Sequence, residues 1–392
     1  MNELYFDNNA TTALDEEVLA GLQATLAENY GNPSSPHPPG ERALQAVDRA
    51  RASLVRLIGA ASPSEIVFTS GGTESIHTAL HIALADRMPG LVLTSSVEHA
   101  AVLRPLESWG LRGTRSNRIG VDTEGLLDTD RLLEELARSS GRVQLVSLLL
   151  ANNETGVLLP ANELREIALA ARSAGALVHL DAVQMPGKLS MEEWAPSADL
   201  ISLSAHKFHG PKGIGALFVR SGITCPASGF LSGGPQEEGR RAGTLNVPGI
   251  VGLGIAAERA LEHLADAPAR ARVMGLRDRL EEGLREGIEG LEFHGAAARR
   301  LPNTTNVAIP RIDGELLHLS LAAEGLCVSG GAACGSKSRK ASPVLVGMGI
   351  DEKKARASLR FSLSRQTLPE EVEAAIETTC RVVHDLGALS VR

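Results

Sequence analysis

Short, near-continuous apolar runs recur along the first half of the chain and just past it, and each ends in a cluster of small and polar residues. Glu65-Ile66-Val67-Phe68, Leu91-Val92-Leu93-Thr94, Val143 to Leu150, Ala176 to Leu180, Ala198 to Ile201 and Gly213 to Val219 have this form. They lack the apolar–polar alternation of a half-wet strand, which predicts strands covered on both faces and hence a mostly parallel sheet. Between them the apolar residues keep helical spacing: Val18, Leu19, Leu22 and Leu26; a long stretch ending at Leu57; Ile76, Leu80 and Leu84; and a helix over about Ala161 to Ser173. Gly31 to Gly40, rich in proline, reads as a rigid loop that either shapes a pocket or simply connects. Strand and helix in alternation predict an α/β, doubly wound architecture.

Past Val219 the pattern changes. One helix reaches about Leu264, and another carries Val273, Leu276, Leu280, Leu284 and Ile288 on one face. Short strands are expected at Asn306–Ile309, Leu326–Ser329 and Leu359–Leu363, and a helix at Pro369–Leu386. The expected division is a large domain over residues 15–265 and a smaller α+β domain over residues 266–392. Residues 1–14 are expected to join the smaller one. A chain of 392 residues with 43% hydrophobic content is long enough for both.

Charge and composition narrow the class. A net charge of −8 with only 3% aromatics offers neither the basic stripe nor the stacking rings of a nucleic-acid binder. No apolar run reaches the roughly 18 residues needed to cross a bilayer. Met1 to Asp7 shows no basic segment leading into an apolar one. Cys225, Cys327, Cys334 and Cys380 have neither paired spacing nor a histidine-rich partner motif, so no disulfide framework or metal site is expected. The expectation is a cytoplasmic protein with no membrane contact.

Candidate chemistry lies where the predicted strands end. Thr73, His99, Asn153, Asp181, Gln184, Ser204, His206 and Lys207 all fall there, and in a doubly wound sheet those ends share one ligand-binding edge. Lys207 sits between two strands, crowded by His206 and His209; burial lowers a lysine's pKa and frees its amine to attack an aldehyde. Ser70-Gly71-Gly72-Thr73 joins a strand to a helix start, a geometry that receives a phosphate, but it lacks the spacing and lysine of a triphosphate site. Asp181 at a strand end supplies a carboxylate. Amine, phosphate cradle, carboxylate and histidine together describe a site for pyridoxal 5′-phosphate.

The same residues carry a resemblance. Tyr5 to Thr12, Phe68 to Ser75, Glu98-His99, Ala151 to Gly156, Asp181-Ala182-Val183-Gln184, Ser204-Ala205-His206-Lys207, Gly239 to Thr244, Ser329 to Cys334 and Arg360 to Ser364 follow one another as in the cysteine desulfurases of the class V aminotransferase group. The chain resembles the nitrogen-fixation and housekeeping iron–sulfur branch. That resemblance implies fold type I of the pyridoxal-phosphate transferases. It implies that Lys207 holds the cofactor, Asp181 pairs with its ring nitrogen, Gln184 with its ring hydroxyl, and His99 stacks on the ring and moves protons. Gly72, Thr73, Ser204 and His206 would receive the phosphate, with Thr244 of the partner subunit in a homodimer. Asn153 and Arg360 would hold the carboxylate of L-cysteine, and Cys334 would take its sulfur as a persulfide for an acceptor protein such as an iron–sulfur scaffold. After Cys334 the chain carries Lys337, Arg339 and Lys340, where the family commonly has an acidic residue. A selenocysteine lyase or aminotransferase of the same class would need no such cysteine. A catalytically silent relay protein would be expected to lack Lys207 or His99.

Overall fold

The computed structural model describes residues 3–330 and 341–390. A two-residue strand, β1 (Leu4–Tyr5), opens it, followed by α1 (Glu16–Glu28) and α2 (Pro38–Ile58). Asp15 caps α1 by accepting from the Glu17 amide. Helix α2 starts inside the stretch expected to be loop. Proline loses no hydrogen bond in the first helical turn, and His37 Nδ1 accepts from the Gly40 amide at 3.2 Å, so Pro38 and Pro39 begin a helix instead of preventing one.

The alternating region gives β2 (Ile66–Thr69), α3 (Gly72–Leu84), β3 (Leu91–Ser95), α4 (Ala100–Gly110), β4 (Arg115–Ile119), α5 (Thr129–Arg138), β5 (Val143–Leu149), α6 (Ala161–Ser173), β6 (Leu177–Asp181), β7 (Leu200–Ser204) and β8 (Gly215–Val219). They build a seven-stranded sheet in the order β2-β8-β7-β6-β5-β3-β4. From β4 to β7 every pairing is parallel, whereas β8 runs antiparallel to both neighbours. The short connection from β7 to β8 holds no crossover helix, so the chain has to reverse there. Two reversals leave β2 parallel to β7, and the C-terminal ends of β2, β3, β5, β6 and β7 share one edge. The apolar-run criterion misses β4, whose sequence Arg-Ser-Asn-Arg-Ile is mostly exposed at the sheet margin.

Helix α7 (Val247–Ala265) packs against α1 and α2, and α8 (Ala267–Gly287) packs against the last helix. Then come β9 (Glu292–Phe293), β10 (Thr304–Ala308), α9 (Gly314–Ala323), β11 (Leu326–Cys327), β12 (Ser329–Gly330), α10 (Pro343–Gly347), α11 (Glu352–Arg356), β13 (Ser358–Ser362) and α12 (Pro369–Ser390). An antiparallel sheet runs β12-β13-β10-β9, while β11 pairs in parallel with β1. The single strand expected at Leu326–Ser329 is thus two strands in two sheets.

One apolar core lies between the large sheet and α1, α2, α6 and α7; a second gathers Leu280, Leu284, Val307, Leu317, Leu359, Phe361 and Val372. Phe6, fully buried, belongs to the second. From there the N-terminal segment crosses to the first. The Asn9 amide donates to Ser362 Oγ at 2.9 Å, and the Thr12 amide donates to the His206 carbonyl at 2.9 Å. This strap ties the strand carrying Arg360 to the turn carrying Lys207.

Candidate active site

Lys207 closes a single helical turn, Ala205–Lys207, directly after β7. Its Nζ donates to the carbonyls of Asn9 at 2.7 Å and Ala10 at 2.8 Å. Burial, reinforced by the Arg360 guanidinium and opposed by Asp181 and Asp7, pushes the amine down to about 8. The turn is held by His209, a non-glycine residue at φ 69°. Its amide donates to Thr12 Oγ1 at 2.7 Å, and its Nδ1 donates to the Ala13 carbonyl at 2.9 Å. Burial drives that imidazole down to about 4, so at neutral pH it is an uncharged brace.

Across the sheet edge, Gly71 adopts φ 151° and ψ −176°, a conformation open only to glycine. A Cβ at Gly72 would lie 2.9 Å from Val183 Cγ2 and 3.4 Å from Ser204 Cβ. Helix α3 begins there without a side-chain cap, leaving its first amides for a ligand. The acid in that turn, Glu74, is engaged by Arg241 at 2.8 and 3.2 Å and by the Ser70 amide at 2.7 Å. Thr73, Ser204 and His206 line the same hollow. Bare amides, two hydroxyls and an imidazole in a cradle that a Cβ would fill suit a phosphate monoester.

Asp181 ends β6, is 3% exposed, and accepts from the Val183 amide at 3.1 Å. Burial raises its pKa against the pull of His99 and Lys207. A carboxylate so placed wants a proton-bearing nitrogen beside it, which a protonated pyridine provides. His99 caps α4 through Nδ1, which accepts from the Ala101 amide at 3.1 Å, so the neutral ring carries its proton on Nε2. Gln184 donates through Nε2 to the Asn9 carbonyl at 2.9 Å.

Arg360 reaches the cavity from β13. It donates to the Asn153 carbonyl at 3.0 Å, to Asp7 Oδ1 at 2.5 Å and to Ser329 Oγ at 2.7 Å, while its Nε is buried with no partner. A guanidinium lining the cavity opposite the Lys207 amine suits a substrate carboxylate.

The fold brings ten of the expected residues together around a cavity of about 400 Å³: Gly72, Thr73, His99, Asn153, Asp181, Gln184, Ser204, His206, Lys207 and Arg360. Thr244 is exposed and does not line it. Cys334 lies outside the described residues. Spacing gives no role to Asp7, Asn9 or Lys188. All three act through hydrogen bonds to residues distant in sequence or across a turn, and Asn9 acts partly through its backbone carbonyl.

Known proteins place the chain in a group. Residues 4–375 match the aminotransferase class-V family. A cysteine desulfurase from Cereibacter sphaeroides is 45% identical over 394 residues, covering 100% of this chain and 98% of that protein. A solved NifS-like protein superposes with a TM-score of 0.88 at 35% identity, covering 98% of this chain and 100% of that one. A structure described as SspA in complex with cysteine does so with a TM-score of 0.79 at 30% identity, over 93% and 99% of the two chains. Family match, full-length relatives and fold agree with the geometry of the cavity: the chain belongs to the aminotransferase class-V family and has the type I fold of NifS-like enzymes.

Proposed function

We propose that this protein is a pyridoxal-phosphate-dependent cysteine desulfurase. It converts L-cysteine to L-alanine while the Cys334 thiol takes the sulfur atom, the thiol becoming a persulfide with no other oxidant or reductant needed. One observation carries the assignment: the Lys207 amine, pushed to about 8, shares a cavity with Asp181, an uncapped helix start and the Arg360 guanidinium. Relatives at this level of identity carry the same activity in their names.

Pyridoxal phosphate, when bound, supplies an aldehyde to an amine and a ring that accepts electrons from the substrate's α-carbon. The chain's residues do the rest. Lys207 holds the aldehyde carbon, and Asp181 keeps a proton on the ring nitrogen. Gln184 donates to the ring hydroxyl. Gly72, Thr73, Ser204 and His206 hold the phosphate. Burial and nearby lysines push the His206 imidazole to about 4, so it binds as a neutral donor. Arg360 and Asn153 orient the substrate carboxylate, and His99 Nε2 carries protons. We assign residues 15–265 to the body that bears Lys207, and residues 1–14 and 266–392 to the one that bears Arg360. The sulfur passes to an acceptor protein of iron–sulfur assembly or another thiolation pathway, in the cytoplasm; among the described residues no helix is long and apolar enough to cross a membrane.

The direct test is the product balance. Incubation with the cofactor and L-cysteine should yield one alanine for each sulfur added to the enzyme, and a keto acid in place of alanine would make this an aminotransferase. Asp181→Asn should retain cofactor yet lose roughly a hundredfold or more in turnover, because a neutral amide cannot hold the ring nitrogen protonated. Undiminished turnover in that variant would remove the electron sink from the mechanism.

Because Thr244 stands outside its own cavity, a homodimer in which it reaches the partner's phosphate is the natural arrangement. Lys207→Ala and Thr244→Ala subunits, paired in one heterodimer, give one doubly damaged site and one intact site. That heterodimer should recover about half the wild-type turnover, well above either parent homodimer. A fully active monomer would rule this arrangement out.

A further inference from the structure

Lys188 takes no part in the chemistry assigned so far. It stands in the turn after β6, behind Gly187 at φ 71°. A Cβ at Gly187 would lie 3.3 Å from Ala260 Cβ and 3.7 Å from Phe208 Cβ, so the turn is seated between α7 and the Lys207 segment. From there the Lys188 amine donates to Gln184 Oε1 at 2.8 Å. At the other end of the same carboxamide, Nε2 donates to the Asn9 carbonyl, which also receives Lys207 Nζ. Lys188, Gln184, Asn9 and Lys207 therefore form one continuous hydrogen-bonded chain.

A carboxamide is nearly symmetric in shape, and packing alone does not choose between its two orientations. Here both ends choose. Turned over, its NH₂ would face the Lys188 donor and its oxygen would face the Asn9 carbonyl. Lys188 does this without a counter-charge: no carboxylate pairs with it among the described residues. The titratable and charged groups beside it in a small cavity of about 30 Å³ are Lys207, His209, His263, Arg270 and Arg365, all bases. Of the residues that line the large cavity, His206 and Arg360 also interact with Lys188 electrostatically. Burial, with Lys207 and Arg360, pushes its amine well below the ordinary lysine value. A buried amine with no carboxylate of its own, beside Lys207 and the Arg360 guanidinium, costs folding free energy, so it is not explained as a stabilising contact.

We propose that Lys188 is a positioning residue, which locks the Gln184 carboxamide so that its NH₂ group faces the cofactor cavity and its second N–H stays available to the cofactor's phenolic oxygen. This rests on the pyridoxal-phosphate assignment made above. The locked amide favours negative charge on that oxygen, and through Asn9 the same chain fixes the resting place of the Lys207 amine.

The test follows the visible absorption of the lysine-bound cofactor in the holoenzyme as a function of pH. In Lys188→Met only the Asn9 carbonyl still orders the amide, so the turned-over orientation gains population, the phenolic oxygen loses part of its donor, and the lysine nitrogen beside it keeps its proton to higher pH. The midpoint should rise by about one unit. Lys188→Arg, which restores a donor, should bring it back to within about 0.3 unit of wild type. In a Gln184→Met background, Lys188→Met should add nothing further, since the group it acts through is gone. A purely structural lysine would lower the melting temperature and leave the midpoint alone. If Lys188→Met does not fold, Lys188→Ala removes the same donor with a smaller side chain, and its midpoint should rise likewise. A midpoint that ignores the loss of the Lys188 amine, or a Lys188→Met shift that persists without Gln184, overturns the inference. A protein with no visible adduct, or one unaffected by Lys207→Ala, defeats the cofactor assignment instead.

Discussion

Lys207→Ala is expected to abolish turnover, on the order of 10⁴-fold or more, and to remove the borohydride-reducible bond between protein and cofactor. The lysine's surroundings make two pH-dependent consequences testable as well. Capture of added pyridoxal phosphate by the apoprotein should accelerate as pH rises through about 8, where the folded amine loses its proton. The second is in stability. An unfolded lysine holds its proton to about 10.4, so between about 8 and that value the unfolded chain binds a proton that the folded chain has released. Across that window raising the pH favours the folded wild type, while the alanine variant lacks this contribution. The stability of wild-type apoprotein relative to Lys207→Ala should therefore be flat below about pH 8 and climb above it, by up to about 3 kcal/mol. Urea unfolding of both apoproteins at neutral pH and near pH 9.5 reads this directly. A reducible adduct surviving in Lys207→Ala would assign the cofactor to another amine, and Lys188 would be the first to examine.

That such a lysine is visible in the sequence at all follows from how parallel sheets work. Strands buried on both faces must be apolar throughout, so β2, β3, β5, β6 and β7 stand out as runs, and the polar residues at their ends are conspicuous. Nine of the ten expected residues reach the cavity for that reason, and the tenth, Arg360, comes to it from β13 of the antiparallel sheet. Where the two conditions fail, legibility fails. Strand β4 sits at the margin with one buried residue, and its pattern is that of a loop. Pro38 and Pro39 resemble a connector because proline is read as a breaker, although in a first helical turn it breaks nothing.

The strap from Phe6 to Thr12 is the harder case. Its function lies in backbone carbonyls: Asn9 receives Lys207 and Gln184, and Ala10 receives Lys207. Backbone acceptors have no sequence signature. Asp7 is legible as an acid but not as the partner of Arg360, since the pairing spans almost the whole chain. Lys188 looks like an exposed turn lysine, and only its contact with Gln184 marks it otherwise.

Cys334→Ser is expected to bind cofactor and L-cysteine yet form no persulfide, with alanine production falling by roughly 10³-fold or more, because no other thiol in the chain is equipped to replace it. Three cysteines can be compared. Cys327 lies in β11, paired with Tyr5, and its carbonyl accepts from the Phe6 amide at 2.8 Å. Burial raises its thiol pKa, and the Glu3 and Asp7 carboxylates raise it further. Burial likewise raises Cys225 and Cys380, the latter wedged against Gly287 in the packing of α8 on α12. A thiol raised above its ordinary value of about 8.5 is a poor nucleophile at neutral pH, and one fixed in a strand cannot travel to the substrate sulfur. Cys334 is different in its sequence surroundings, glycine and alanine before it and Lys337, Arg339 and Lys340 after it, a sequence expected to favour the thiolate. Cys327→Ser should consequently cost about 1 kcal/mol in stability and leave the chemistry intact. Mass spectrometry of the cysteine-treated enzyme decides between them. One added sulfur on the Cys334 peptide is the expected result, and sulfur on the Cys327 peptide with none on Cys334 would overturn the transfer step.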